Sequence, residues 1–143
     1  MRGFEASSVI AADPAAIWTV LTDGAGWTRW DSAVVRVDGT IAPGQKVTVY
    51  PEANPKRGFP VKVVEFVPGQ RMTWRGGMPL GLFTGVRTYE LTPEPDGRVR
   101  FRMREQYTGL MAGLIFRSIP DLGPSFERFA AGLKRQAESA DVG

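Results

Sequence analysis

The chain contains no cysteine and no histidine. The first absence rules out thiolate nucleophiles, disulfides and cysteine-based metal sites. The second rules out Ser-His-Asp triads, histidine acid–base catalysis and the usual zinc sites. Chemistry is left to carboxylates, Tyr, Lys, Arg, Ser and Thr, and neither a metal nor a cofactor is expected. Long apolar runs are missing as well: none approaches the ~18 residues that a membrane-spanning helix needs. The first dozen residues carry one early Arg and a polar alternating run in place of the apolar core of a secretory signal. No stable membrane insertion and a cytoplasmic location are therefore expected. Charge of one sign is scarce too, since eighteen Lys and Arg stand against fifteen Asp and Glu for a net +3. The clustered basic and aromatic pattern of a nucleic-acid surface is not there, so nucleic acid is not an expected partner.

What is present fits one globular domain over residues 1–143. The length suits a single core that buries about two-thirds of the unfolded surface, and hydrophobic (43%) and charged (23%) fractions are ordinary for such chains. Phe4 to Ala11 reads as an opening strand with imperfect alternation. Asp13-Pro14 then announces a helix, with Asp13 capping the first turn and Pro14 at a position where its missing N–H costs nothing. Asp23-Gly24 ends it, and Gly24 to Trp30 reads as a second short helix or turn. Trp27 and Trp30, three apart, fall on one helical face as core anchors, with ligand contact as the alternative.

From Ala33 the period changes to two. Strands are expected at about Val34–Asp38, Lys46–Tyr50, Val61–Val67, Arg71–Arg75, Leu82–Thr92 and Arg98–Tyr107, separated by turn residues such as Asp38-Gly39, Pro43-Gly44, Pro68-Gly69 and Asp96-Gly97. Pro51 to Gly58 and Gly76 to Gly81 read as longer loops. The C-terminal stretch Leu110 to Ala140 is helical, but Pro120 and Gly123-Pro124 divide it. Its second piece, Ser125 to Ser139, carries one apolar stripe: Phe126, Phe129, Ala130, Leu133 and Ala137. The first, Leu110 to Ile119, is apolar on more than one side and is expected to act as a mobile gate. The fold class is α+β: one strand, two helical pieces, six antiparallel strands, then the closing helix.

Strand parity carries the sharpest functional inference. Between Arg98 and Tyr107 the even positions are four arginines and Gln106, which must face water. Phe101, Met103, Glu105 and Tyr107 then face inward. A carboxylate alone there is costly and needs a cation or a proton. The preceding strand supplies the cation, because its odd positions, Phe83, Gly85, Arg87, Tyr89 and Leu91, face the same way. A hairpin turning at Pro93 to Gly97 sets Arg87 opposite or diagonal to Glu105, while Glu90 and Thr88 partner the arginine ladder outside. The pair is read either as a buried ion pair that only secures the sheet or as the polar anchor of a ligand in an apolar cavity. Trp74 belongs to the same interior, as do Met111, Leu114 and Ile115 from the closing helix.

In element order and in several segments the chain resembles the helix-grip superfamily that includes START lipid-transfer domains, pollen-allergen-like proteins and the polyketide cyclase/dehydrase-like branch known as SRPBCC. The carriers are ADPAAIWTVLTD (Ala12–Asp23), WTRWDSAV (Trp27–Val34), GTIAPGQKVTV (Gly39–Val49), VVEFVPGQRMTWRG (Val63–Gly76), and GLMAGLIF and LKRQAES in the closing helix, together spanning nearly the whole chain. The resemblance implies a curved antiparallel sheet of about seven strands wrapped around a long C-terminal helix. It also implies a cavity between them for a lipid, polyketide or other apolar small molecule. It carries over no catalytic residue. Three roles follow for testing: a hydrophobic-ligand binder anchored by Arg87 and Glu105; a cyclase or dehydratase with Glu105 as acid or base and Tyr89 or Tyr107 polarising a carbonyl; and a protein-interaction module without ligand. Nothing in the sequence sets an oligomeric state.

Overall fold

A computed structural model of the chain describes residues 2–142. The elements are β1 (Gly3–Ile10), α1 (Pro14–Thr22), a 3-10 segment (Gly24–Arg29), β2 (Val34–Asp38), β3 (Lys46–Pro51), β4 (Phe59–Val67), β5 (Arg71–Met78), β6 (Phe83–Pro93), β7 (Val99–Thr108), α2 (Ala112–Ser118) and α3 (Gly123–Val142). The strands form one antiparallel sheet in the order β1-β7-β6-β5-β4-β3-β2. Sequential hairpins build six of its strands, and β1 closes the row by pairing with β7. The sheet curls into a half-barrel whose concave face holds α3. No helix among the described residues is long and apolar enough to cross a membrane.

Local chemistry explains these boundaries. The Asp13 carboxylate accepts from the Ala15 N–H at the start of α1, and Pro14 opens the helix. Asp23 serves both as its end and as the cap of the 3-10 segment, accepting from the Gly26 N–H. On α3 the expected stripe is the buried one: Phe126, Phe129, Ala130, Leu133 and Ala137 are each 3% exposed or less. Polar latches hold the helix to β1 and its extension. The Ser8 hydroxyl donates to the Ala130 carbonyl at 2.9 Å, the Lys134 ammonium donates to the Val9 carbonyl at 2.7 Å, and the Ala11 N–H donates to Glu138 at 2.8 Å. At Gly132 the helix lies so close to the chain at Trp30 and Asp31 that a Cβ would collide with the Asp31 carbonyl oxygen.

Three details differ from the sequence reading. β5 runs on through Gly76 and Gly77 to Met78, pairing with Gly85, Thr84 and Phe83, so the expected loop shrinks to its distal half. Backbone hydrogen bonding to β6 overrides the weak strand preference of the glycines. The helical break falls at residues 119–122, and α3 starts at Gly123, because Pro124 is compatible with a first helical turn. On the outer face, Glu90 and Thr88 do lie across from Arg102 and Arg104. Arg102, however, makes its two-point ion pair with Glu5 of β1.

Candidate functional site

β6 and β7 pair so that Arg87 stands directly opposite Glu105, the register expected from the turn. The Arg87 Nη2 donates to Glu105 Oε2 at 3.1 Å, and its Nη1 donates to the Tyr89 hydroxyl oxygen at 3.3 Å. The Tyr107 hydroxyl donates to the same Glu105 oxygen at 2.5 Å. The Arg87 guanidinium carbon lies 4.8 Å from the centre of the Phe126 ring of α3, a cation–π contact. The ion pair is mostly but not wholly withdrawn from water, with side-chain exposures of 19% and 16%.

Electrostatics hold Arg87 charged and the two phenols neutral. Burial works against the Arg87 charge, but the Glu105 carboxylate and the Tyr89 oxygen more than compensate, so its pKa lies above the usual arginine value. Burial raises the Tyr89 hydroxyl, with the Arg87 charge opposing. Burial also raises Tyr107, and the Glu105 carboxylate beside it adds to the rise. Both phenols therefore remain donors at neutral pH. Among the described residues the Arg87 Nε is buried and has no hydrogen-bond partner. A buried donor without an acceptor costs about 1–3 kcal/mol, so the site holds a cationic N–H suited to an oxygen acceptor.

The surroundings fall into two halves. Under α3 the interior is solid. Trp74 stacks on Trp27 with ring centres 5.6 Å apart, and Tyr89, Phe101 and Phe129 close around them. Trp74, Phe101 and Met103 are 2%, 0% and 1% exposed. These three expected ligand contacts lie buried in an aromatic cluster beneath α3 that Trp27, Tyr89 and Phe129 complete. Under α2 the packing is looser. There Phe83 stacks on Tyr107 at 5.5 Å, and Phe116 of α2 and Phe4 of β1 cover the same phenol ring. Met111 and Ile115 are half-buried beside them. Leu114 is not: at 60% exposed it points away from the interior.

Phe116 takes the inward place on α2, and it escaped the sequence reading because that stretch is apolar on several sides. Phe4 escaped because β1 alternates poorly. Phe126 belonged to the recognised stripe, yet only the folded structure brings its ring to Arg87. Two open hollows mark the surface. One of about 520 Å³ is bounded by Val35, Arg36, Tyr50, Pro55 and Lys56, away from the ion pair. A smaller one of about 200 Å³ is bounded by residues of β1 and β7 including Phe4 and Glu105.

Comparison with solved structures bears out the fold. A hypothetical protein, jhp0584, from Helicobacter pylori superposes with a TM-score of 0.75 at 16% identity, covering 94% of this chain and 87% of that one. Protein MLL2253 from Mesorhizobium loti gives 0.73 at 16% identity, covering 98% and 99%. The di-domain ARO/CYC protein BexL, from the BE-7585A biosynthetic pathway, gives 0.70 at 17% identity over 96% of this chain and 47% of its own. No curated protein is matched by sequence. The profile of one family does match, over residues 1–138, and by it the chain belongs to the polyketide cyclase/dehydrase and lipid transport family.

Proposed function

We propose that the protein is a cytoplasmic binder of an apolar small molecule. The ligand lies beneath α2, with an acceptor oxygen at its polar end against the Arg87 guanidinium, whose other donors are held by Glu105 and Tyr89. The observation that carries this reading is the Arg87 Nε, unpartnered among the described residues, beside the half-buried rings of Phe4, Phe83, Tyr107 and Phe116 and the buried ring of Phe126. Such a combination of aromatic walls and a few convergent polar groups is the usual make-up of a small-molecule site. The space is closed down by Phe116, so admission requires α2 to move. Its seven residues have no side-chain cap at the N-terminus, and only Ala112 among them is fully buried.

Native mass spectrometry of protein purified without added ligand tests the proposal, together with uptake of a fluorescent apolar probe bearing a carbonyl. A retained molecule, or saturable uptake that Phe116→Trp blocks by filling the space, supports it. No retained molecule and no uptake refutes it. A second reading is favoured by the convergence of Arg87 and Tyr107 on one carboxylate oxygen and by the structural likeness to an ARO/CYC protein. On that reading Glu105 moves a proton to or from a polyketide-like substrate while Tyr107 or Arg87 stabilises the developing oxyanion. Unchanged turnover of an accepted substrate by Glu105→Gln would rule it out.

A further inference from the structure

Four large apolar side chains stand in water at one end of the molecule: Leu80 is 91% exposed, Leu110 88%, Leu114 60% and Met78 42%. They are neighbours. The Leu110 N–H donates to the Gly81 carbonyl at 3.1 Å and the Met111 N–H to the Leu82 carbonyl at 2.8 Å, tying the β5–β6 tip to the turn before α2. Leu80 is also held at φ +62, the left-handed region that an L-residue with a bulky side chain rarely adopts. Strain of this kind is tolerated where the surrounding structure imposes it, and it points to a role outside the fold because the described residues leave the side chain almost wholly in water. Residues 76–82 and 108–119, which form the rim, contain a single charged residue, Arg117.

That arginine does not stand alone. The Arg117 Nε donates to the Gly113 carbonyl at 3.2 Å, and the Arg2 guanidinium lies 2.9 Å from where a Gly113 Cβ would be. Neither forms an ion pair among the described residues, whereas surface Arg71, Arg98, Arg100, Arg102 and Arg128 each hold a carboxylate. Residues 76–82 and 108–119 thus offer protruding apolar points and no acid, backed by two guanidinium groups that hold no carboxylate among the described residues. Neither hollow described above is lined by residues 76–82 or 108–119. A protein partner would have to bring pockets shaped for each leucine, but a lipid surface is fluid and requires only apolar depth and anionic headgroups.

We propose that this rim docks the protein on an anionic lipid surface, with Leu80, Leu110 and Leu114 in the headgroup–acyl boundary and Arg2 and Arg117 on lipid phosphates. The inference does not depend on what the site beneath α2 binds. Co-sedimentation with vesicles of phosphatidylcholine mixed with phosphatidylglycerol, against vesicles of phosphatidylcholine alone, tests it. The wild-type chain should partition to the mixed vesicles. Leu80→Gly/Leu110→Ser should reduce that partition by about tenfold or more, and Arg2→Gln/Arg117→Gln by about fivefold per arginine. Because both leucines are exposed and Leu80→Gly relieves a left-handed residue, thermal melts should show these variants folded. Absence of wild-type binding to either vesicle overturns the proposal, as does equal binding by the leucine variant. A wild-type dimer in light scattering that Leu80→Gly/Leu110→Ser converts to monomer also overturns it, since the rim would then be a contact between copies.

Discussion

The Arg87–Glu105 pair can be tested by breaking it from either side and then from both. Removal of one member of a fully buried pair costs about 3–5 kcal/mol, because the survivor is left charged without a partner. Here roughly a fifth or less of each side chain still meets water. The survivor also keeps company: Glu105 retains the Tyr107 hydroxyl, and Arg87 retains the Tyr89 oxygen and the Phe126 ring. About 2 kcal/mol for Arg87→Met, and a similar loss for Glu105→Gln, is the reasoned magnitude. With a urea m-value of about 2 kcal/mol/M, each midpoint should fall by about 1 M. The double variant removes both charges and leaves no orphan, so it should lose no more than either single, a coupling of about 2 kcal/mol or more. Probe uptake is measured on the same samples. The double variant should be nearly as stable as the singles and yet fail to hold the carbonyl-bearing probe. Midpoint losses that simply add, about 2 M in the double variant, would refute the coupling. A double variant that binds normally would refute the anchoring role.

Three further expectations are independent of that cycle. Gly132→Ala should destabilise by up to about 2 kcal/mol, because overpacking against the Asp31 carbonyl costs about 1–3 kcal/mol and the gain in helix propensity returns only about 1; thermal unfolding checks it, and a raised Tm would show that the helix approaches less closely. Tyr89 and Tyr107 have raised folded pKa values, so their stabilising contribution is complete below the ordinary phenol range and is lost as pH rises above it. Phenolate absorbance should show neither ionising near pH 10, where free phenols titrate, with Tyr89→Phe and Tyr107→Phe leaving the signal there unchanged. Amides of α2 should exchange faster than those of α3 between Ala130 and Leu133, and a bound probe should slow α2 selectively; equal protection in both helices, unresponsive to probe, would remove the gate.

Parity and turn chemistry account for how much of this was legible in the linear chain. Alternation along β7 separates the arginine face from Phe101, Met103 and Glu105 without any knowledge of the fold, and the short turn at Pro93 to Gly97 then brings Arg87 to Glu105 by counting. The α3 stripe is legible for the same reason, since its period matches one helical face. The filling of the interior is not local and was not legible. Whether Trp74 lines a cavity or a core depends on Trp27 and Phe129, which approach it from a 3-10 segment and a helix far apart in sequence. On α2, apolar residues lie all round, so periodicity cannot choose between Leu114 and Phe116. Gly76-Gly77 reads as loop by composition and becomes strand by pairing, where Gly77 adopts φ +133 in the ladder.

The division of the C-terminal segment explains why a charged pair sits where it does. Phe129 and Leu133 of α3 are only 2% and 0% exposed, and the helix is latched through Ser8, Val9 and Ala11. Lifting α3 would expose several large side chains, each worth about 1.5–3 kcal/mol, and break those latches as well. α2 buries only Ala112 completely, leaves Leu114 in water and adds two backbone hydrogen bonds at its start. Its displacement exposes Phe116 and part of Tyr107, a cost of a few kcal/mol that a bound apolar molecule would offset by covering the same rings. Phe126 of α3 already covers Arg87 on one side, and a firmly packed helix over the rest of the cluster would withdraw both charges from water permanently, with the desolvation penalty that entails. On the proposed reading, α2 covers the Tyr107 end of the cluster through Phe116 while α3 holds the grip and lays Phe126 on Arg87, and a ligand reaches the cluster by replacing Phe116 without disturbing Phe129.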